Sequence, residues 1–359
     1  MTDAGIKLRR AFRRSDLSGA FNQSALEGWF AREIDGFRLP LTIRRFSGGQ
    51  SNPTFLLATS DRNYVLRKKP DGALLPSAHA IDREHRVMRA LSGTDVPVPS
   101  VLGYCNDPTV IGAEFFIMTH IEGRTFWDAR LPDLSRDDRA AVFDEMNKVI
   151  AALHRIDPAT VGLADYGRPG RYLERQVARW SKQYPASETQ PIEAMNRLID
   201  WLPKHLPAPG VTSIVHGDLR LDNLIFHPVE PRALALIDWE LSTLGDPLVD
   251  FAYHMLTWIL RSDEFRGIAD ADLQALGIPG ADSYLALYVE RRGIAAIDPA
   301  LWNYHLVFGL FRLAAILQGI AKRAEDGNAA SADALETGAK ARPIAELAWR
   351  KAREWLDAR

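Results

Sequence analysis

Cysteine is nearly absent from this sequence: Cys105 is the only one in 359 residues. That excludes an intrachain disulfide and a thiolate-built metal cluster, and a reducing, cytoplasmic setting is expected. Excess charge of either sign is also missing, since 44 Lys and Arg stand against 46 Asp and Glu for a formal net charge of -2. No broad positive field exists to hold a nucleic-acid backbone or an anionic membrane, so the expected partner is a small molecule. Nor is there an unbroken apolar run of membrane-spanning length. The best candidate, Ala300 to Ala321, is interrupted by Asn303, His305, Arg312 and Gln318, and because mid-membrane charge is costly it reads as a buried helix. The start, MTDAGIKLRRAFRRSDLSGAF, is basic but lacks the apolar core and cleavage site of a secretory signal, so a solvated terminus is expected.

What is present is the balance of a packed globular protein, 47% apolar and 25% charged. The length exceeds the roughly 250 to 300 residues at which single cores stop growing, which predicts two lobes. Ser24 with Glu27 forms a capping box before Leu26, Trp29, Phe30 and Ile34 at helical spacing, predicting a helix over about 24–36. From Leu41 to Arg67 the pattern becomes short alternating runs, TIRRF, TFLLAT and NYVLR, separated by SGGQSNP and SDRN, as in consecutive antiparallel hairpins. Ser77 is the expected cap of a helix bearing Ile81, Met88 and Leu91, followed by strands near VLGYC and EFFIMTHI. Beyond Gly123 the periodicity is mostly helical, near 135–156, 170–184, 191–205, 247–261 and 298–325, with short strands at SIVHGDL, NLIFHP and ALALIDW. The expected fold class is α+β: a small antiparallel-sheet lobe with one main helix over 1–121, then a larger, mostly helical lobe over 122–359.

The sharpest chemical signal is HGDLRLDN at 216–223, followed by the acid Asp238 in LIDWE. An Asp and an Asn five apart on a loop, with a second Asp after a hairpin, suit phosphoryl transfer. That reaction asks the protein mainly to position reactants and neutralise phosphate charge. Asp218 would orient the acceptor hydroxyl and take its proton, while Asn223 and Asp238 would hold Mg2+. The competing structural reading makes Asp218 and Asp222 turn and capping residues, has Asn223 stabilise a left-handed bend, and lets Asp238 simply end a strand. His216, beside a tight turn, reads as a structural donor and acceptor.

HGDLRLDN with IDWE resembles the aminoglycoside phosphotransferase and choline kinase family, of protein-kinase-like fold. The resemblance runs from about Leu41 to about Lys322 and implies a two-lobed kinase using ATP and Mg2+. In it Asp218 matches the catalytic Asp, Asn223 and Asp238 the magnesium ligands, and Asp250 in GDPLVDFA an acid that braces the loop. In FSGGQSNPTFLL, Gly48 and Gly49 allow backbone amides to approach phosphates, with Ser51 and Asn52 adding donors. Arg67 and Glu84 match the strand-to-helix ion pair that grips nucleotide phosphates in protein kinases. Arg67 stands where Lys is usual, which is not a neutral exchange; Lys69 is the fallback. EFFIMTHIEG resembles the interlobe hinge, in which Met118 backs the adenine and the Thr119 carbonyl and Ile121 amide bond its edge.

The segment RPGRYLERQVARWSKQY carries Arg168, Arg171, Arg175, Arg179 and Lys182 against one acid, Glu174. Facing a pocket it would repel cationic acceptors and favour an anionic one; facing solvent it would be only an amphipathic stripe. YVLRKKP, LLPSAHAIDREHRVMRAL and DWELSTLGDPL are similar to the kinase-like domain joined to acyl-CoA dehydrogenases in animals. That similarity implies a hydroxyacyl-CoA or other anionic acceptor and a separate acyl-CoA dehydrogenase as partner. An aminoglycoside-type antibiotic kinase, a nucleotide-binding pseudokinase and a metal-dependent hydrolase using His216 remain as alternatives.

Overall fold

The computed structural model describes residues 22–46, 52–70, 80–327 and 333–357. Helix α1 (Gln23–Glu33) is capped by the Asn22 side chain, which accepts the Ala25 N–H, rather than by Ser24. It ends at Ile34, which is extended, ahead of Gly36 in the left-handed region, three residues short of the expected limit. Strands β1 (Thr42–Arg45), β2 (Thr54–Ala58) and β3 (Asn63–Lys68) follow, then α2 (Ile81–Leu91), β4 (Val101–Cys105), the short α3 (Pro108–Ile111) and β5 (Phe115–Thr119). Helix α2 starts after Ala80; the expected cap Ser77 lies outside the described residues. The strands form one antiparallel sheet in the order β1-β2-β3-β5-β4. Alternation sends Phe55, Leu57, Tyr64, Leu66, Phe115 and Ile117 into a core closed by Leu26, Trp29 and Phe30 of α1.

Next come α4 (Arg136–Arg155), α5 (Tyr172–Ser187) and α6 (Glu193–Trp201). Strand β6 (Ser213–Val215) leads into the loop that ends in a 3-10 turn at Leu221–Asn223. Strands β7 (Leu224–Phe226) and β8 (Ala233–Leu236) form a hairpin, and β9 (Thr243–Gly245) pairs back onto β6. The remainder is α7 (Pro247–Ile259), the short α8 (Ser262–Phe265) and α9 (Leu273–Leu276), α10 (Ala281–Arg292), α11 (Pro299–Glu325), α12 (Ala334–Ala339) and α13 (Ala341–Asp357).

The chain divides into two compact units, Met1–Thr125 with Leu224–Glu240, and Phe126–Asn223 with Leu241–Arg359. The first holds the five-stranded antiparallel sheet and the second is helical. This differs from the sequence reading, which gives 122–359 whole to the second lobe. Residues 224–240 join the first unit because Phe226 exchanges both backbone hydrogen bonds with Arg124 at 2.8 Å and the Leu236 N–H reaches the Pro97 carbonyl at 2.7 Å. Gly123 permits this approach, as a Cβ there would stand 2.3 Å from the Phe226 carbonyl oxygen.

In the second unit, α11 is long and apolar enough to cross a membrane by length and composition, yet 83% of its apolar window is buried. It packs against α5, α7, α12 and α13. Helix α13, which packs on α11 and α6, buries Ala341, Ile344, Ala345, Ala348 and Ala352 in the same core. Leu310 sits at the centre with no exposure. Leu310→Ala should lower the unfolding free energy by about 2–5 kcal/mol, seen as a lower urea midpoint.

Candidate active site

In the second unit, the loop after β6 is shaped by a buried carboxylate. Asp250, in the first turn of α7, accepts the His216 N–H at 2.6 Å and the Gly217 N–H at 2.9 Å. Gly217 has φ +86, and a Cβ there would meet the Leu241 carbonyl oxygen at 2.8 Å, so only glycine suits the turn. His154 on α4 sits behind, with Nε2 3.3 Å from Asp250 and Nδ1 2.8 Å from the Tyr288 hydroxyl. Burial opposes ionisation of Asp250, but His154 and the His216 N–H outweigh it and hold the carboxyl below its usual range. Burial lowers His154. A neutral ring against an ionised carboxylate carries its proton on Nε2 and accepts from Tyr288. Arg312, from mid-α11, closes the turn by donating from Nη2 to the Gly217 carbonyl at 2.7 Å, its guanidinium 4.5 Å from the Tyr253 ring centre.

The loop so held presents Asp218. Its Oδ2 meets Arg220 Nη2 at 3.0 Å and accepts from Asn223 Nδ2 at 3.2 Å, while the same amide also donates to the Asp218 carbonyl at 2.8 Å. Asp218 Oδ1 has no partner among the described residues. Arg220 was not singled out by the sequence reading. Its signal is its place inside HGDLRLDN, two residues after the Asp. Asp222 is buried and lies between Arg220 at 3.6 Å and Arg266 at 3.1 Å.

In the first unit, Arg67 on β3 gathers three carboxylates. Its Nε is 2.8 Å from Glu84 on α2, and its Nη2 is 2.9 Å from Asp238 and 3.7 Å from Glu240. The Nε contact is a charge pairing without hydrogen-bond alignment. The planar fork explains why Arg serves here: it faces carboxylates on two edges at once, which a single ammonium does not. Lys69, the fallback, lies 3.9 Å from Glu114 instead. Asn52, expected among the phosphate donors, directs its Nδ2 to Glu84 at 2.6 Å, because a carboxylate only 2% exposed requires a hydrogen-bond donor. Gly48, Gly49 and Ser51 lie outside the described residues. Met118 and Thr119 end β5 and, like Ile121, are half-buried. The Ile121 N–H makes no hydrogen bond among the described residues.

Among the described residues no three His, Cys, Asp or Glu side chains are arranged to hold a metal by themselves. Asn223 turns its amide nitrogen to Asp218, which directs its oxygen away, and Asp238 keeps one carboxylate oxygen beyond Arg67. Such hard oxygen donors fit magnesium, which takes one or two protein ligands and fills its shell with phosphate and water oxygens.

The basic segment resolves into structural contacts. Both Nη atoms of Arg175 donate to carbonyls, of Gly170 and Arg168, and Arg171 pairs with Glu174 at the surface. Arg179 and Lys182 are exposed. This is the solvated-stripe reading.

An ion-paired residue on the third strand of the first unit and, in the second, a braced HGD loop with an Asp and an Asn five apart are each features of phosphotransferases of protein-kinase-like fold. The chain belongs to the phosphotransferase enzyme family, whose family model matches residues 42–288. It is 48% identical over 312 residues to mouse acyl-CoA dehydrogenase family member 10, a match covering 86% of this chain and 29% of that protein. The chain spans less than half the length of the curated relatives it matches. A crystal structure from Ralstonia eutropha, provisionally assigned as an aminoglycoside phosphotransferase, is 52% identical with a TM-score of 0.86, covering 93% of this chain and 99% of that one. A thermostable variant of the aminoglycoside phosphotransferase APH(4)-Ia shares the fold at 17% identity and a TM-score of 0.59, over 92% and 98% of the two chains; its ternary complex holds ADP and hygromycin B.

Glu84 yields a pH test. Burial, with Asp238 and Glu240 adding to it, pushes its carboxyl up to about 7 despite Arg67 and Asn52. A raised acid binds its proton more tightly folded than unfolded. Its stabilisation is therefore full below the unfolded value near 4.5 and is lost as pH rises through 7. Between pH 4.5 and 7.5 the wild type should lose about 3 kcal/mol relative to Glu84→Gln, measured by urea unfolding of both proteins. Parallel pH profiles would contradict this.

Proposed function

We propose that this protein transfers the γ-phosphate of ATP to a hydroxyl of a small anionic metabolite, with a hydroxyacyl-CoA as the leading acceptor. One observation carries the reading: Asp218 has one carboxylate oxygen fixed by Arg220 and Asn223 and the other uncommitted. That is the arrangement of a general base which must be ionised, oriented and reachable. The acceptor oxygen forms the new bond to phosphorus as the bond to the β-phosphate oxygen breaks. ADP leaves with that electron pair, and the hydroxyl proton passes to Asp218. Arg67, held by Glu84, would meet the upstream phosphates, and Thr119 and Ile121 would take the adenine edge. Asn223 and Asp238 would hold Mg2+, which when bound neutralises phosphate charge.

The acyl-CoA part rests on the relatives, which are acyl-CoA dehydrogenase family members, and a dehydrogenase acting on the same acyl chain is the proposed partner. Arg220 beside the base, with Arg266 beyond it on Asp222, suits an anionic acceptor and disfavours a polycation such as an aminoglycoside.

Asp218→Asn should bind Mg-ATP with near wild-type affinity while turnover falls roughly 10²–10⁴-fold, measured as ADP release with hydroxyacyl-CoAs, choline, sugars and aminoglycosides as acceptors. An unchanged rate would remove Asp218 from the mechanism.

A further inference from the structure

Outside the catalytic loop and the Arg67 cluster, the segment after α7 is tightly tied. Ser262 donates to Asp270 twice, from its backbone N–H at 2.9 Å and its hydroxyl at 2.6 Å, closing a short loop. Inside it, Gly267 is obligatory: a Cβ would stand 1.7 Å from the Leu260 carbonyl oxygen. The Ile268 N–H ties the return to the Thr257 carbonyl at 2.8 Å. At the tip, Arg266 ends α8 at φ 51, a left-handed conformation uncommon for any residue other than glycine.

This loop delivers the Arg266 guanidinium to two neighbours in the same unit. Nη1 is 3.1 Å from Asp222 Oδ2, and the group lies 4.9 Å from the ring centre of Trp127. Trp127 is 57% exposed, which leaves aromatic surface open beside the guanidinium. Through Asp222 and Arg220, Arg266 connects to Asp218 by three charge contacts, each shorter than 4 Å. Asp222 is served by two arginines. Arg266 can therefore turn to an incoming anion while Arg220 keeps the buried carboxylate paired, avoiding the penalty of a stranded charge. In the 168–182 segment, by contrast, Arg175 is spent on carbonyls and Arg171 on Glu174.

We infer that Arg266 and Trp127 form the recognition site for the non-reacting end of the acceptor. Trp127 supplies a stacking face, and Arg266 binds an anionic oxygen group, phosphate or carboxylate, on the same molecule that offers its hydroxyl to Asp218. The inference rests on the phosphotransfer reading above and specifies which residues select the substrate.

The test compares three acceptors sharing one hydroxyacyl chain: the CoA thioester, which carries phosphates and a base; the free hydroxy acid, which carries a carboxylate; and the pantetheine thioester, which carries neither. The wild type should prefer one of the two anionic acceptors. Arg266→Gln and Trp127→Leu should each cut the kcat/KM ratio of that acceptor over the pantetheine thioester roughly tenfold or more, with the loss in KM. Arg266→Lys should recover part of it. Which anionic acceptor responds separates a phosphate site from a carboxylate site. In parallel, titration calorimetry measures binding of coenzyme A and of the hydroxy acid without turnover, and Arg266→Gln should weaken one of them by a similar factor. Absent turnover with intact, Arg266-dependent binding would sink the kinase reading and leave this site standing. Binding and selectivity unchanged in Arg266→Gln, or a wild type that binds neither probe, would overturn the site itself.

Discussion

The buried carboxylate of Asp250, bonded to two consecutive backbone N–H groups, is the contact on which the catalytic loop depends. Removing a carboxylate from water is costly, and the cost is offset here by the His216 and Gly217 amides and by His154. Those bonds fix a turn that only glycine can make, and Arg312 locks the turn's carbonyl from the other side. Asp218 follows immediately, so the direction of its side chain is inherited from an ion buried one helix away. His154 in turn links the brace to Tyr288 on α10, which makes the loop part of the helical core rather than an appendage to it.

The first unit uses the opposite device. Arg67 is a buried cation surrounded by Glu84, Asp238 and Glu240, an excess of negative charge around a single guanidinium. The carboxylates that face Arg67 are drawn to further positive charge, and in the proposed reaction Mg2+ brings it together with the nucleotide phosphates. Arg in place of the usual Lys then reads as a wider clamp rather than a defect: its fork spans Glu84 and Asp238, which a point charge on a flexible stem would not hold in the same register.

Legibility in the sequence followed the range of the interaction. HGDLRLDN, the hairpin runs and the expected helices of the second unit declare themselves locally, through side-chain type and period, and the five-stranded antiparallel sheet and helical second unit are what the residues foretold. Arg312 was hidden because its partner Gly217 lies 95 residues away and its own surroundings read only as an interrupted apolar helix. Helix α13 was hidden because its buried face is alanine apart from Ile344, which gives little hydrophobic contrast. Asn52 stood in a glycine-rich stretch that suggested phosphate binding, whereas its amide is claimed by Glu84 from 32 positions on. Glu240 stood inside IDWE with no role assigned to it and Arg266 stood in no motif, and only the folded chain brings them beside Arg67 and Asp222. The basic segment shows the converse limit, since the sequence left the pocket and the solvated stripe both open. Charge counted along a helix says nothing of whether each guanidinium is already occupied, and Arg175 is.

The central claim is that a phosphoryl group moves from ATP to a carbon-bound hydroxyl. The direct measurement is 31P NMR of the protein with Mg-ATP and a hydroxyacyl-CoA. The account predicts a new phosphate monoester signal that grows in step with ADP. Growth of inorganic phosphate alone, or an unchanged ATP spectrum across the acceptor panel, would contradict it.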